Sequence, residues 1–402
     1  MFPVETYQQS DPLVGAVLDG RYRVDTLIAT GGMSGVYRGV DLRLDRPVAL
    51  KIMDSRYAGD HQFLTRFQRE ARAVARLKDP GLVAVYDQGI DGQYPFLVME
   101  LIEGGTLREL LGERGPMPPH AVAAVLGPVL SGLAVAHHQG LVHRDVKPEN
   151  VLISDHGEVK IADFGLVRAI AEAKITSTSV ILGTADYLSP EQVSTGDAGP
   201  ASDVYAVGIL TYELLTGTTP FKGDTALAVA YQRMDHDVAP PSTAIGGVPK
   251  QFDEMVLRAT ARHPADRYPD AEDMATELDA IVEELGLPHF RVPAPRHSAQ
   301  HLSAEVHRSR VSHSATTDTV RPAPPPRQHT RELTRGPDDW ESADAEYYGA
   351  ARQFAGIDMN EFYWARQRAK RVLFFWVVAV LVLTGALAAG AWTLGSNLAG
   401  LL

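Results

Sequence analysis

The chain has 402 residues, and this length predicts two or three structural units rather than one small core. Its formal net charge of -12, from 50 acidic residues against 38 Lys and Arg, argues against general nucleic-acid binding, which needs clustered positive charge. The absence of Cys excludes disulfides, thiolate zinc sites and a Cys nucleophile, and it favours a reducing compartment. The first fifteen residues lack the basic and apolar regions of a signal peptide.

After a tail at 1–19, the sequence is rich in strand-like runs: "RYRVDTLIA", "SGVYRGVD" and "PVALKIM". The Gly-rich turn between the first two, in "LIATGGMSGVY", has few side chains, so its backbone N–H groups can approach phosphate oxygens. Next, "HQFLTRFQREARAVARLK" predicts an amphipathic helix whose apolar face carries Phe63, Phe67, Ala71 and Val74. Two further strand-like runs, "LVAVYDQGI" and "QYPFLVMELIE", complete this part.

After Gly104 long helical patterns dominate, as in "PPHAVAAVLGPVLSGLAVAHHQG" and "ASDVYAVGILTYELLTG". A small sheet-rich lobe followed by a larger helical lobe is an α+β arrangement. The sequence therefore predicts a cleft between two lobes, and such junctions are common ligand sites.

The run "LVHRDVKPENVLI", residues 141–153, gathers ionisable groups just beyond this junction. "VKIADFG" follows, and its Asp163 lies 18 residues after Asp145. Asn150 and Asp163 offer hard oxygen ligands of the kind that Mg²⁺ binds. Each feature alone has an ordinary explanation: the Gly-rich turn as a hairpin, Lys51 as a surface lysine on its strand. Their joint order and spacing match the catalytic signature of phosphate-transferring enzymes.

Residues 20–287 resemble the protein kinase family, and within it the bacterial transmembrane Ser/Thr kinases of the actinobacterial Pkn group. The resemblance implies a bilobal protein kinase fold, with a small β-rich N-lobe and a large helical C-lobe. It also implies ATP, with Mg²⁺ or in its place Mn²⁺, and protein substrates as partners. Similar kinases pair through the small lobe, so the resemblance leaves a homodimer through this lobe open.

The resemblance also assigns the nucleotide site. Val36 and Ala49 are expected to cover the adenine, and Met99 to be the gatekeeper before a hinge. Lys51 is expected to hold the α- and β-phosphates. The residues expected at the ATP site are Ala29, Gly31, Gly32, Val36, Ala49, Lys51, Glu70, Met99, Glu100, Ile102 and Leu152.

Four more residues receive catalytic roles by the same resemblance. Asp145 would orient the substrate hydroxyl and accept its proton, while Lys147 would steady the γ-phosphate. Asn150 and Asp163 would hold Mg²⁺. Lys51 would pair with Glu70 on the small-lobe helix.

Other positions are expected to support or regulate the site. Ser189-Pro190-Glu191 stands where the family has Ala-Pro-Glu, and Glu191 is expected to pair with Arg267. Asp203 would brace the catalytic loop from a buried helix. Thr176 and Thr178 match positions that carry phosphothreonines in similar kinases, and a phosphate there would pair with Arg144.

Other functions fit the sequence less well than that of an active kinase. The pattern G-x-G-x-x-G keeps only Gly31, with Ala29 and Ser34 at its other glycine positions, so altered nucleotide affinity is expected rather than lost activity. A pseudokinase scaffold would need a broken Lys, Asp or Asn, and all are present. "GTADYLSPEQ" matches a peptide-docking segment, which argues against a small-molecule kinase. A receptor with a working outer domain is argued against by an outer tail of about eight residues.

The last part of the chain changes in composition. Residues 288–371 are expected to form a Pro-, Ser- and Arg-rich cytoplasmic juxtamembrane linker. Its first part, up to about residue 335, has few large apolar residues, which predicts disorder, and the rest mixes acids with aromatics, which leaves a short juxtamembrane helix open. Residues 372–394 carry no charge and, as a helix about 34 Å long, would cross a membrane. The basic residues before 372 place the kinase domain in the cytoplasm and the tail 395–402 outside. The expected localisation is a single pass through the cell membrane.

Overall fold

The structure is a computed structural model, and it describes residues 11–164 and 185–317 together with two short strands at 353–354 and 357–358. The predicted membrane helix at 372–394 and the tail 395–402 lie outside the described residues. So do Thr176 and Thr178.

A six-stranded antiparallel sheet forms the small lobe, with strand order β1-β2-β3-β4-β6-β5. One long helix, α1, accompanies it. The bounds are β1 Val17–Leu18, β2 Tyr22–Thr30, β3 Ser34–Asp41, β4 Arg46–Met53, α1 His61–Val74, β5 Val85–Asp91 and β6 Tyr94–Met99.

The α1 helix begins where its sequence provides a cap. The carboxylate of Asp60 accepts hydrogen bonds from the backbone N–H groups of Gln62 and Phe63, which have no partner within the helix. The four residues predicted for its apolar face are its buried residues: Phe63, Phe67, Ala71 and Val74. The predicted helix and its orientation are therefore confirmed.

A three-stranded sheet and a set of helices form the large lobe. The sheet has the order β7-β8-β9, and its strands are β7 Gly104–Thr106, β8 Val151–Ser154 and β9 Val159–Ile161. The helices are α2 Leu107–Arg114, α3 Pro119–His138, α4 Pro190–Ser194, α5 Pro200–Thr216, α6 Ala226–Asp235, α7 Lys250–Ala259, α8 Ala271–Glu284 and α9 Ala299–Thr317.

Two helices form the centre of the large lobe. The α5 helix is buried from Ser202 to Leu215 and ends at Gly217, whose left-handed φ of 80° suits a residue without Cβ. Within the ranges that the structure describes, α3 is the one helix long and apolar enough to cross a membrane. Its Val125, Leu126 and Val129 are fully buried in the lobe, as expected for a core helix.

The chain does not become disordered at residue 288. It runs extended along the large lobe to Ser298 and then forms α9. Val292 and Pro295 are buried. The prediction of a disordered linker is therefore wrong for 288–317. The reason is that a Pro- and Ser-rich segment cannot build its own core, but it can order by packing on a surface that the lobes already provide.

The two short strands, β10 Gln353–Phe354 and β11 Ile357–Asp358, form an antiparallel pair.

Candidate active site

The catalytic loop holds Asp145 by contacts from its own neighbours. Lys147 Nζ lies 2.7 Å from Asp145 Oδ2. The amide nitrogen of Asn150 donates to the Asp145 carbonyl at 2.7 Å and to its Oδ2 at 3.1 Å. Because β8 begins directly after Asn150, the loop is fixed at its C-terminal end by a sheet strand. The sequence-predicted residues Asp145, Lys147 and Asn150 are thus brought together.

The N-terminal end of the loop is fixed by Asp203 on α5. Arg144 has a φ of 66°, a conformation that costs free energy for any residue with a Cβ. The buried carboxylate of Asp203 accepts hydrogen bonds from the backbone N–H groups of His143 and Arg144, both at 2.7 Å. These bonds stabilise the strained backbone beside Asp145. These two hydrogen bonds are the contacts that a residue bracing the catalytic loop would make, as the resemblance implied for Asp203.

His143 connects the loop to the segment that carries Asp163. Its ring is fully buried, and its Nε2–H donates to the carbonyl of Ala162 at 2.9 Å. The ring also packs against Phe164 with centroids 4.6 Å apart. Burial lowers the pKa of His143 below its ordinary value, so the ring is held neutral. Sequence reasoning assigned no role to His143, although its place directly before Arg144 was the available signal.

Asp163 and Lys51 form an ion pair across the cleft between the lobes. Lys51 Nζ lies 2.7 Å from Asp163 Oδ1. Asp163 has a φ of 61°, so its backbone is strained like that of Arg144. Burial alone raises the pKa of Asp163, but the ammonium of Lys51 outweighs it and holds that pKa below the ordinary range. The carboxylate is therefore kept ionised.

The donor set at this point suits Mg²⁺. The amide nitrogen of Asn150 is used toward Asp145, so its carbonyl oxygen remains available as a ligand. The ionised carboxylate of Asp163 offers a second hard oxygen. In the part of the chain that the structure describes, there is no cluster of three or more acidic, His or Cys ligands. Two protein oxygens fit an ion that keeps water and shares phosphate ligands, as Mg²⁺ does.

Strand register places the expected adenine and phosphate residues on one face of the small-lobe sheet. Val36 pairs with both Ala29 and Lys51, and Ala49 pairs with Met99. Directly paired residues and residues two apart on one strand point to the same face. Sheet geometry alone thus brings these five predicted residues together.

The remaining predicted ATP residues surround this face. Gly31 lies in the β2–β3 turn, where its N–H donates to the Ser34 carbonyl at 2.7 Å, and Gly32 has open space around it. Glu100 and Ile102 lie in the connection between β6 and β7, which joins the lobes. Leu152 lies on β8 beneath this connection and pairs with Thr106.

Glu70 does not form the ion pair with Lys51 that the resemblance implied. Among the described residues the ion pair of Lys51 is with Asp163. Glu70 lines a cavity of about 190 Å³ between α1 and the large lobe, together with Arg69, Arg144 and Phe164. The expectation that Lys51 pairs with Glu70 is therefore wrong. A lysine on β4 has more than one carboxylate within reach, and the placement of α1 decides which it meets.

Glu191 and Arg267 form the predicted pair. Arg267 donates to both carboxylate oxygens of Glu191 at 2.8 Å. Ser189, which replaces the family's Ala, caps α4: its hydroxyl accepts from the Gln192 N–H, and the Gln192 side chain accepts from the Ser189 N–H. The substitution therefore adds a capping box, a physical reason why it is mild.

Sequence reasoning missed a network around Arg108 on α2. Its guanidinium donates to Glu149 at 2.7 Å, to Glu213 at 2.5 Å and to the Tyr187 hydroxyl at 2.6 Å. Tyr187 also donates to Glu213. Glu149 belongs to the catalytic loop and Tyr187 to the segment before Ser189, so Arg108 ties the two together. The members lie far apart in sequence, and although Glu149 and Tyr187 fell within recognised motifs, nothing in the sequence showed that they meet.

Comparison with known proteins agrees with this geometry. The family model described as "Protein kinase domain" matches residues 22–277. The serine/threonine-protein kinase PknL of Mycobacterium tuberculosis (strain ATCC 25618 / H37Rv) is 65% identical over 98% of this chain and 98% of its own length. The serine/threonine-protein kinase PrkC of Bacillus subtilis (strain 168) is 40% identical over 67% of this chain and 42% of its own length.

Solved structures give the same result for the fold. A crystal structure of the M. tuberculosis PknI kinase domain superposes with a TM-score of 0.55 at 27% sequence identity. The match covers 68% of this chain and 98% of that one. The resemblance to the Pkn group that the sequence motifs indicated, PknL in particular, is confirmed, and a pseudokinase scaffold is not favoured. The chain belongs to the protein kinase family, among the serine/threonine protein kinases.

Proposed function

We propose that the chain transfers the γ-phosphate of ATP to serine and threonine hydroxyls of proteins, with Asp145 as the group that orients the hydroxyl and accepts its proton. The observation that carries this proposal is the fixed position of the Asp145 carboxylate, 2.7 Å from Lys147 Nζ and 3.1 Å from Asn150 Nδ2. Both neighbours are donors, so the carboxylate is held in one position, where it could accept the proton of a substrate hydroxyl.

The other residues act on charge and position. Lys51 would bind the α- and β-phosphates and Lys147 the γ-phosphate, because phosphoryl transfer depends on neutralising and aligning phosphate oxygens. Asn150 and Asp163 would hold Mg²⁺, which neutralises developing charge on the phosphates when bound. An apolar surface for the adenine would come from four side chains on the same face of the small-lobe sheet, those of Ala29, Val36, Ala49 and Met99.

We further propose that the enzyme is anchored in the cell membrane through residues 372–394 and regulated by phosphorylation of Thr176 and Thr178. The uncharged stretch and the basic residues before it support the anchor. A homodimer through the small lobe is proposed from the resemblance alone, and sedimentation of the purified protein at several concentrations tests it.

Transfer of labelled phosphate from ATP to a protein substrate tests the catalytic proposal. The wild-type protein should label both itself and the substrate, whereas Asp145→Asn should not. Asp279→Asn is the matched control, because Asp279 is exposed on α8 and far from the loop in sequence. Equal labelling by the Asp145→Asn variant, or none by the wild type, would refute the proposal and favour a scaffold.

A further inference from the structure

Residues 291–308, called the strap below, contact both lobes and the connection between them. The strap consists of an extended part up to Ser298 and the first half of α9. None of its residues belongs to the proposed catalytic machinery. Its contacts fall into three groups: hydrogen bonds to the large lobe, hydrogen bonds where the connection ends, and packing of the helix with a charged contact on the small lobe.

The extended part binds the large lobe. Arg291 Nε donates to the carbonyl of His156 at 2.7 Å, and Val292 beside it is buried. The Glu113 carboxylate on α2 accepts hydrogen bonds from the backbone N–H groups of Arg296 and His297, at 2.9 and 2.7 Å. These bonds anchor the strap to the lobe that carries the catalytic loop.

Ser298 binds the first residue of β7, at the point where the inter-lobe connection enters the large lobe. Its buried hydroxyl donates to the carbonyl of Gly104, the first residue of β7, and accepts from the His301 N–H at 3.0 Å. One hydroxyl thus both binds the connection and caps α9. The N–H of Ala299 donates to Glu109 Oε1 at 2.8 Å. A Cβ on Gly105 would lie 2.4 Å from Pro295 Cγ and 2.6 Å from Ser298 Cβ.

The α9 helix packs against β2 of the small lobe. Near its middle, His307 Nδ1 lies 3.7 Å from Asp25 Oδ2 on that strand. The β2 strand leads directly into the Gly-rich turn at Gly31. The strap therefore reaches from the catalytic lobe to the strand that carries the nucleotide loop.

The face of α9 that is buried is a polar one. Gln300 and Ser303 are buried, and within the ranges that the structure describes neither the Gln300 side-chain amide nor the Ser303 hydroxyl has a hydrogen-bond partner. By contrast Leu302 and Val306 on the same helix are 61% and 44% exposed. An amphipathic helix normally buries the opposite face, and unpartnered buried polar atoms weaken a contact. The docked helix is thus held more by the hydrogen bonds that residues 291–299 make with the large lobe than by its own packing.

We propose that the strap is a detachable clamp on the inter-lobe connection, and that its docking sets how fast nucleotide leaves the cleft. Nucleotide exchange in a two-lobed enzyme requires the lobes to move apart about their connection. A continuous segment bound to both lobes and to Gly104 must shift or detach when they do. The inference rests on the proposed ATP site, and it adds a positioning role for Ser298 that the catalytic residues do not have.

The proposal has a regulatory consequence. In the sequence, α9 is followed by the segment predicted to lead to the membrane helix at 372. A partner that pulls on this segment or binds it would act first on α9, and through Ser298 on Gly104. The clamp therefore gives the membrane side of the chain a direct mechanical connection to the nucleotide cleft.

Two substitutions should loosen the clamp from opposite sides. Ser298→Ala removes the hydroxyl that binds Gly104 and caps α9, while Gly105→Ala places a methyl group where Pro295 and Ser298 pack. Gly127→Ala in α3 is the matched control, because a Cβ there meets nothing within 4 Å. Ser303→Ala removes a buried hydroxyl without a partner, and it should tighten the docking.

The test uses the full-length protein in detergent and measures three quantities. They are dissociation of a fluorescent ADP analogue, hydrogen exchange of residues 291–308, and kcat and KM for ATP. Ser298→Ala should raise the ADP dissociation rate about fivefold, the size expected for one lost buried hydrogen bond, and Gly105→Ala should raise it to a similar extent by displacing Pro295 and Ser298. They should also raise KM for ATP without lowering kcat. Ser303→Ala should slow ADP dissociation, and Gly127→Ala should not change it.

Because the two loosening substitutions act on one contact, their effects should not add in the double variant. Faster exchange of 291–308 with an unchanged ADP dissociation rate would show that docking of the strap does not set nucleotide release and would overturn the proposal, as would equal effects of Ser298→Ala and Ser303→Ala. If Gly105→Ala fails to fold, the two serine variants decide alone. A wild-type protein that binds no ADP at all would instead refute the proposed function.

Discussion

Arg267 and Glu191 form a bidentate ion pair in which both N···O distances are 2.8 Å. The Arg267 side chain is fully buried, and the carbonyls of Ala201, Ala261 and Arg262 accept its other N–H groups. Every donor of this guanidinium is therefore used. The pair connects the segment after Ser189 to the loop between α7 and α8, beneath the catalytic loop.

Arg267→Met should destabilise the protein by about 3 kcal/mol, because it leaves Glu191 half-buried without its cation and three carbonyls without donors. Urea unfolding followed by circular dichroism measures this change. Lys250→Met is the control, since the Lys250–Glu254 pair is exposed and its loss should change stability little. Equal effects of the two substitutions would show that burial of the Arg267 pair contributes nothing.

Asp145→Asn and Lys51→Met should each lower phosphate transfer by about a thousandfold, because they remove the proposed base and the proposed phosphate ligand. Neither substitution should prevent folding. Lys51→Met also leaves the Asp163 carboxylate without its 2.7 Å partner, so the pKa of Asp163 should rise. Near-normal turnover in either purified variant would contradict the assigned roles.

The sequence predicted the parts of the site that are local. Asp145, Lys147 and Asn150 lie within six residues, and strand pairing then aligns Ala49 with Met99. The position of Glu70 was not predictable in this way, because it depends on how α1 sits against the large lobe.

Two further features escaped prediction for related reasons. The network of Arg108 joins groups up to 105 positions apart, and no single stretch of sequence displays it. The order of residues 288–317 was missed because composition describes a segment in isolation, whereas Val292 and Ser298 are buried on a surface made by other parts of the chain.

Stability should fall as the pH is lowered below about 6.5, the ordinary pKa of histidine. Burial lowers the pKa of His143 in the folded protein, so the unfolded chain binds more protons in the window between the lowered and the ordinary value. Lowering the pH through this window therefore favours unfolding, by up to about 1.4 kcal/mol per pH unit for one group. His120, half-buried beside Phe290, is shifted in the same direction by burial and adds to the effect.

The measurement is urea unfolding between pH 5 and pH 7.5 in wild type and His143→Phe. The variant keeps a ring that can pack on Phe164, but it cannot take up a proton. Its stability should depend less steeply on pH than that of the wild type. An unchanged slope would show that His143 does not titrate on unfolding.

Active enzyme should carry phosphate on Thr176 and Thr178, and the double Ala variant should lose at least about tenfold in activity. A phosphate adds a charge of about -1.5 to -2, which can pair with Arg144 through bidentate hydrogen bonds. Mass spectrometry of wild type and of Asp145→Asn measures the modification, and the inactive variant should lack it. Ser177 and Ser179 are the next candidates in the same stretch. Active enzyme with both threonines unmodified would rule out this form of regulation.

Residues 1–371 should lie in the cytoplasm and the C-terminus outside. The uncharged stretch 372–394 is long enough to span the membrane, and the basic residues before it favour the cytoplasmic side. A reporter enzyme that works only outside the cell should be active when fused after residue 402 and inactive when fused after 317. A fragment that ends after 317 should be soluble without detergent and retain activity, because it lacks the uncharged stretch and keeps both lobes. Replacing Arg366, Arg368, Lys370 and Arg371 by Gln should lower the C-terminal reporter signal, since the charge bias that sets the orientation is then gone. An inactive reporter after residue 402 together with an active one after residue 317 would refute the predicted topology.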